Sequence, residues 1–152
     1  MDFAVRDLVG VRSVDGVIAH QCNCVTSHAA GVARKIFSAF PYSDSYKDRK
    51  VPGEAGTIDV RRPPAGSEHL PAVVNLFAQY YPGKPRDAFD TNDDRNRWRI
   101  LCLKAMAESL DEGTMVFVPY RMGCSLAGGN WDEVLEALKG VEGKIKITIC
   151  IA

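Results

Sequence analysis

The chain alternates between short apolar runs and longer stretches in which apolar residues recur every three or four positions. The short runs are typical of buried strands and occupy residues 3–5, 16–23, 57–60, 72–78, 115–118 and 144–151. The last run alternates strictly, which predicts an edge strand or a half-covered face. The longer stretches are typical of amphipathic helices and cover residues 32–40, 91–106 and 131–138. In the second of these, Thr91 or Asn92 can cap the helix, and the residues predicted to share its buried face are Trp98, Leu101, Cys102, Ala105 and Met106. This alternation of strands and helices predicts an α/β protein with three α/β/α layers.

The segment 114–138 joins a strand to a helix through a loop that contains Gly123, Gly128 and Gly129. Glycine allows the backbone to approach a ligand closely, and the free N–H groups at a helix N-terminus favour anions. Asn130, at the end of the loop, is a favourable helix N-cap. The pattern predicts an anion site, and the alternative interpretation is a tight connection in which glycine serves packing.

The same plan of strand, small-residue loop and helix occurs around residues 17–40. Its strand ends in polar residues that include His20 and Asn23, and ligands of open α/β sheets bind beyond the carboxyl ends of the strands. Two such units side by side would form one crevice with two helix N-termini, which favours a diphosphate ligand. His20 has two interpretations, a general acid or base and a hydrogen-bonded core histidine.

Composition sets the broad class of the protein. The 152 residues suffice for one domain, residues 1–152, and the 46% apolar and 25% charged content is typical of globular proteins. Basic and acidic residues both number 19, so the net charge of zero gives no sign of sequence-independent nucleic-acid binding. No signal peptide or membrane-spanning apolar run is recognisable. Five cysteines outside a small secreted framework favour reduced thiols and a cytoplasmic location.

Missing motifs disfavour several kinds of ligand site. The glycine-rich loop lacks the lysine of a nucleoside-triphosphate P-loop, and no Gly-x-Gly-x-x-Gly follows the first strand. Cys124 opens a run that lacks the arginine of a cysteine phosphatase. His20, Cys22 and Cys24 share one strand face, which leaves zinc open as an alternative, but no fourth ligand is evident. We expect no metal and no cofactor.

Three strings of the chain, VIAHQCNCVTSHAAGVARKIFSAFPYSDSY, VVNLFAQ and PYRMGCSLAGGNW, resemble the macrodomain family. The resemblance covers nearly the whole chain, and it implies a macrodomain with a mixed central sheet that binds ADP-ribose. The nearest branch is that of ADP-ribose 1″-phosphate phosphatases and compact ADP-ribosyl-ester hydrolases.

The resemblance also implies roles for individual residues. Asp7 would accept a hydrogen bond from the adenine amino group, and Leu8 would lie beside the base. His20 and Asn23 would lie by the distal ribose as the catalytic residues. The other ligand-binding positions would be Gly31, Val32, Gln79, Gly123, Cys124, Ser125, Leu126 and Ala127.

The chain departs from the family pattern in the first loop and at two reactive positions. His28-Ala29-Ala30 stands where macrodomains often carry consecutive glycines. Gln79 and Ala127 stand where the ester-cleaving branch has a lysine and an aspartate. The favoured function is hydrolysis of an ADP-ribose derivative, with removal of the 1″-phosphate as the first choice. The alternatives are a mono-ADP-ribosyl hydrolase acting on modified macromolecules and a non-catalytic ADP-ribose reader; no protein partner is implied.

Overall fold

The computed structural model describes residues 1–86 and 88–152. Within these residues the strands are β1 Asp2–Val5, β2 Val17–Gln21, β3 Ile58–Arg61, β4 Val73–Leu76, β5 Met115–Pro119 and β6 Lys146–Ile151. The α-helices are α1 Gly31–Ala39, α2 Asn92–Ser109 and α3 Trp131–Lys139. Short 3-10 turns occur at Leu8–Gly10 and Pro41–Ser43. No helix in the described ranges is long and apolar enough to cross a bilayer.

The strands form one mixed sheet in the order β1-β6-β5-β2-β4-β3. Neighbouring strands run parallel, except that β3 is antiparallel to β4. The carboxyl ends of β1, β6, β5, β2 and β4 therefore meet at one edge of the sheet, where ligands of such sheets bind. The α/β architecture predicted from the sequence pattern and the mixed sheet implied by the resemblance are confirmed.

Apolar side chains on the two faces of the sheet form two separate cores. On one face Ile18 and Phe117 pack with Ile36 of α1. On the opposite face the sheet packs with α2 and α3, which also contact each other. The predicted three-layer arrangement is therefore confirmed, with α1 on one face of the sheet and two helices on the other.

Strand β6 lies inside the sheet, so the expectation of an edge or half-covered strand is wrong. It pairs with β1 on one side and β5 on the other, and its residues 147–150 are all buried. The alternating pattern misled because Thr148 and Cys150 are small enough to be buried on the second face. The Thr148 hydroxyl donates to the Met115 sulfur at 2.9 Å, which satisfies its polar group.

Helix α2 begins at a capping box formed by Thr91 and Asp94, so Thr91 is the N-cap of the two predicted candidates. Its buried face differs from the predicted one, which comprised Trp98, Leu101, Cys102, Ala105 and Met106. The residues that the structure buries are Arg95, Arg99, Cys102, Leu103, Met106 and Ala107. Leu101 is instead 48% exposed. Two arginines thus extend the apolar stripe of α2 toward the carboxyl edge of the sheet.

Candidate functional site

Two adjoining cavities lie at the carboxyl edge of the sheet and form one crevice. The first has a volume of about 230 Å³ and is bounded by the loops that follow β2, β4 and β5. The second has a volume of about 450 Å³ and lies toward β1 and β6. Val32, Pro119, Tyr120 and Arg121 line both cavities. A crevice of this shape suits an elongated ligand that crosses the ends of several strands.

The loop between β2 and α1, here called loop 1, is shaped by Asn23. The side-chain oxygen of Asn23 accepts from the amides of Val25 and Thr26 at 3.0 and 2.9 Å. The backbone amide of Asn23 donates to the Tyr46 hydroxyl at 2.7 Å, and Arg49 donates to the Asn23 carbonyl at 3.1 Å. Asn23 is 9% exposed and lines the first cavity. It is therefore held rigidly at the cavity wall.

Loop 1 ends at the N-terminus of α1, which has no side-chain cap. Ala30 occupies the N-cap position and makes no capping hydrogen bond. The amides of Gly31, Val32 and Ala33 have no intrahelical acceptors, because the first turn of a helix leaves its N–H groups unpaired. These three residues line the first cavity. The helix end therefore offers free donors and the positive end of its dipole to the crevice.

Residues 120–129, here called loop 2, connect β5 to the residue that caps α3. Loop 2 is folded on itself by hydrogen bonds from the Cys124 amide to the Arg121 carbonyl at 2.8 Å and from the Gly129 amide to the Gly123 carbonyl at 2.9 Å. Four other backbone amides of loop 2 have no hydrogen-bond acceptor in the described part of the chain: those of Gly123, Ser125, Leu126 and Ala127. The predicted contribution of the Cys124 amide to ligand binding does not fit, because that amide is already bonded within the loop.

Loop 1 and loop 2 meet across the first cavity. A Cβ atom placed on Gly31 would lie 3.2 Å from the Cδ1 atom of Leu126, which is 61% exposed. Gly123 has φ 74, and a Cβ atom there would lie 2.6 Å from Oε1 of Gln21. Glycine is therefore required at position 123 by both backbone conformation and space. The group that comes close to the Gly123 backbone is the Gln21 side chain. The sequence predicted glycine at this position for a different reason, the close approach of a diphosphate.

The N-terminus of α3 does not supply a second anion site. The Asn130 side chain accepts from the amides of Asp132 and Glu133 at 2.9 and 3.4 Å. The first turn also carries these two acidic side chains. The helix end is thus capped and negatively charged. Of the two helix N-termini expected to bind an anion, the one that is free to do so is that of α1. On the α3 side, only the amides of loop 2 remain available for an anion.

His20 lines the first cavity but is only 1% exposed. Its Nε2 atom lies 2.6 Å from Oδ1 of Asn75, whose amide nitrogen donates to the Ser43 carbonyl at 2.9 Å. Asn75 Oδ1 is therefore the acceptor, and Nε2 of His20 carries the proton. The ring of Phe37 packs edge-on against the imidazole of His20, with the two ring centroids 5.3 Å apart. Burial lowers the pKa of His20 from 6.5 to about 4, so the imidazole is neutral near pH 7.

Gln79 lines the first cavity from the end of the segment that follows β4 and is 8% exposed. Its Oε1 accepts from Nε2 of Gln21 at 2.7 Å, and its Nε2 donates to the Tyr81 carbonyl at 2.9 Å. Arg99 of α2 donates to Oε1 of Gln21 at 3.2 Å. Gln79 was a predicted site residue, whereas Gln21 and Arg99 were not. A network of two amides and one guanidinium therefore forms this wall.

The second cavity contains Leu8, whereas Asp7 lies outside its lining. Asp7 makes a salt bridge with Lys35 at 2.8 Å and accepts from the Val9 amide at 3.2 Å. These two hydrogen bonds, that of Lys35 first, hold the pKa of Asp7 below its usual value. Asp7 thus remains an ionised acceptor at the edge of the cavity.

The cysteines are buried, and burial determines their chemistry. Burial raises the pKa of the Cys124 thiol, which disfavours a thiolate nucleophile near neutral pH. Burial also raises the pKa of Cys24 to about 11. Among the described residues, no group of three or more His, Cys, Asp or Glu side chains is arranged to hold a metal ion.

An arginine that the sequence analysis did not single out joins two walls of the first cavity. Arg95 is 2% exposed and pairs with the fully buried Asp90 at 2.7 Å. Its guanidinium also donates to the carbonyls of Tyr81, Gly83 and Ala127 at 3.2, 2.6 and 3.3 Å. Gly83 and Ala127 line the cavity from opposite loops. The sequence signal that could have indicated burial of Arg95 is its position on the apolar stripe of α2.

The charge of the first cavity favours an anionic ligand. Among the described residues, its lining contains neither a carboxylate nor a lysine, and the charged side chain present is Arg121. Arg121 has φ 59, a conformation that a residue with a side chain adopts at a cost. Nine predicted residues line this cavity, namely His20, Asn23, Gly31, Val32, Gln79, Gly123, Ser125, Leu126 and Ala127. Cys124 does not.

Comparison with solved structures establishes the class of fold. The chain is similar to the macrodomain of Mycobacterium tuberculosis DarG, with a TM-score of 0.72, 99% of this chain and 97% of that chain covered, and 15% identity. It is also similar to the macrodomain of Thermus aquaticus DarG, with a TM-score of 0.63, the same coverage, and 17% identity. The chain therefore has the macrodomain fold.

In sequence, the chain is similar to a phage protein. It is 27% identical over 148 residues to an uncharacterized 17.5 kDa protein from the tk-vs intergenic region of Enterobacteria phage T4. The aligned part covers 94% of this chain and 90% of the phage protein. No family model matches the chain.

Proposed function

We propose that the crevice binds ADP-ribose or a derivative of it, with the diphosphate between loop 1 and loop 2. One observation carries the proposal: the first cavity is lined from two loops by residues whose backbone amides are unpaired. Those of Gly31 and Val32 lie at the uncapped end of α1, and those of Ser125, Leu126 and Ala127 lie in loop 2. Backbone amides at a helix N-terminus are suited to phosphate oxygens. The macrodomain fold and the absence of carboxylates from the described lining support the same ligand.

The two ends of the ligand occupy different cavities in this proposal. The adenine lies in the larger cavity beside Leu8, with Asp7 at the edge as acceptor for its amino group. The terminal ribose lies at the other end, near Asn23 and Gln79. Because the His20 ring is neutral and its Nε2 is bonded to Asn75, we assign His20 a positioning role at the cavity wall.

A charge introduced at the surface of loop 2 tests the binding mode. Leu126→Asp places a carboxylate beside the proposed diphosphate, and the 61% exposure of Leu126 makes the change compatible with folding. Repulsion between like charges should weaken ADP-ribose binding at least tenfold in isothermal titration, which corresponds to about 1.4 kcal/mol. Val14→Asp, at a 92% exposed position outside both linings, is the matched control and should bind like wild type. Equal affinities for the two variants would refute the placement of the diphosphate.

A second function, hydrolysis of ADP-ribose 1″-phosphate, is favoured by the position of His28. This imidazole lines the first cavity from loop 1 and is exposed, in contrast to His20. An accessible imidazole can transfer a proton to a leaving group or from a water molecule.

Release of inorganic phosphate from ADP-ribose 1″-phosphate tests the hydrolase. His28→Ala should lower turnover about 10²-fold or more, since positioned acid–base groups contribute on that order. His69→Ala, which changes an exposed histidine outside the cavity lining, is the control and should leave turnover unchanged. If the wild type binds ADP-ribose but releases no phosphate, the phosphatase proposal fails and the non-catalytic reader becomes the first choice.

A further inference from the structure

Arg99 is a buried cation without a carboxylate partner in the described part of the chain. It is 2% exposed, and no described acidic oxygen lies within the 4.0 Å of a salt bridge. Arg95, one turn earlier, has Asp90 as its partner. Desolvation lowers the pKa of Arg99. Burial of a guanidinium that has no carboxylate within salt-bridge distance is costly. Arg99 offsets this cost with two side-chain hydrogen bonds, to Gln21 at 3.2 Å and to Asn96 at 3.3 Å.

The hydrogen bonds of Arg99 fix the orientation of two side-chain amides. A guanidinium only donates, so the amide oxygen of Gln21 has to face Nε of Arg99, at 3.2 Å. The Gln21 nitrogen then donates to the Gln79 oxygen at 2.7 Å, and the Gln79 nitrogen donates to the Tyr81 carbonyl at 2.9 Å. The donors and acceptors therefore run in one direction from α2 to the cavity wall. Flipping either amide would set two donors or two acceptors against each other.

This orientation decides what the cavity wall offers to a ligand. Each amide nitrogen carries two N–H groups, and one of them is used in the network. Gln21 and Gln79 both line the first cavity. Their second N–H groups are donors without a charge, and they suit the hydroxyl or ring oxygens of a sugar. Their wall adjoins Gly123, so it lies next to the loop 2 amides proposed for the diphosphate.

We infer that Arg99 is a positioning residue that acts through Gln21 and Gln79, and that the two amides bind the pentose attached to the second phosphate. The inference rests on the proposed binding of ADP-ribose and extends it to the group that distinguishes ADP-ribose from ADP. A ligand with the sugar should therefore gain affinity over one that ends at the diphosphate, and the network should carry that gain.

The test compares ADP-ribose with ADP in isothermal titration, using the folded full chain. Wild type should prefer ADP-ribose, and Arg99→Met should lower the ratio of the two affinities about tenfold, as expected for loss of oriented hydrogen bonds. The affinity for ADP should stay within about twofold. Arg99→Lys retains a donor for Gln21 and should restore part of the ratio. Arg97→Met, at an exposed position of the same helix, should change neither ligand.

Gln79→Met provides a second measurement that leaves Arg99 in place, in case the Arg99→Met protein does not fold. It removes the donor but preserves the length of the side chain, and it should lower the same ratio. An unchanged ratio in the folded variants, or an equal loss for both ligands, would overturn the inference while ADP-ribose binding stands. A wild type that binds neither ligand would instead remove the proposed function, and the inference with it.

Discussion

Lowering the pH from 7 to 5 should destabilise the folded chain through the buried imidazole of His20. Burial lowers the pKa of His20 from 6.5 to about 4, and the hydrogen bond with Asn75 opposes only part of that change. The folded chain keeps the ring neutral above about pH 4, whereas the unfolded chain protonates it below about pH 6.5. Between these values the unfolded state binds more protons. The free energy of unfolding therefore falls as the pH falls through this window.

The size of the effect follows from the two pKa values. With 6.5 in the unfolded state and about 4 in the folded state, protonation removes about 2 kcal/mol between pH 7 and pH 5. The carboxylates discussed next change the free energy of unfolding at lower pH. The Thr91 amide lowers the pKa of Asp94, and the Arg12 amide lowers the pKa of Asp15, both from 3.8, so their stabilisation is lost as the pH falls below that value. A measurement at pH 5 therefore isolates His20 from these groups.

Urea unfolding at pH 7 and pH 5 measures the effect in wild type and in His20→Gln. Glutamine cannot take up the proton but retains a donor for Asn75. The stability lost between the two pH values should be about 2 kcal/mol larger in wild type than in the variant. His69→Gln, at an exposed position, should lose as much as wild type. Equal losses in wild type and His20→Gln would refute a neutral, buried imidazole.

Three further predictions concern stability and ligand binding. Arg95→Met should cost about 3–5 kcal/mol in urea unfolding because it leaves Asp90 buried without its partner, whereas Arg97→Met, at an exposed ion pair, should cost less than about 1 kcal/mol; equal costs would contradict the role of Arg95. ADP-ribose at about 100 times its Kd should stabilise the fold by about 2.7 kcal/mol and raise Tm by roughly 5–10 °C; the absence of a shift at millimolar ligand would contradict binding. Gly123→Val should weaken ADP-ribose binding more than Cys124→Ser, because the valine Cβ would collide with Gln21, whereas serine keeps the hydrogen bond from the backbone amide of residue 124 to the Arg121 carbonyl; a greater loss with Cys124→Ser would contradict this account.

The elements and the two loops could be predicted because their signals are local. A strand is marked by its run of β-branched residues and a helix by its apolar spacing, and both patterns survive without knowledge of the neighbours. Gly123 and Gly31 lie at positive φ, where glycine is preferred, and both were predicted to lie in ligand-binding loops. The polar end of β2 likewise identified the edge of the sheet that carries the crevice.

The polar interior could not be predicted because its partners are distant in the chain. Arg99 contacts Gln21 across 78 positions, and His20 contacts Asn75 across 55. An arginine on an apolar stripe is assigned to the surface unless its buried partner is known, which is why the face of α2 was predicted wrongly. The capped end of α3 is a different case. Its Asn130 and the acidic first turn are local signals, and they outweigh the helix dipole because the side chain already occupies the free amides.

The distribution of titratable groups separates binding from catalysis in this crevice. Backbone amides are sufficient to hold a diphosphate, and they need no particular side chain. Hydrolysis requires in addition a group that moves a proton. The described lining of the first cavity has no carboxylate and no lysine. With a pKa of about 4, His20 is neutral near pH 7, and its one N–H proton is donated to Asn75. Of the imidazole and carboxyl groups in the described lining, His28 is therefore the one available for proton transfer, together with the ligand's own groups and water. Substitutions in loop 1 at His28 should therefore alter turnover without altering the amides that bind, whereas substitutions at Leu126 should alter both.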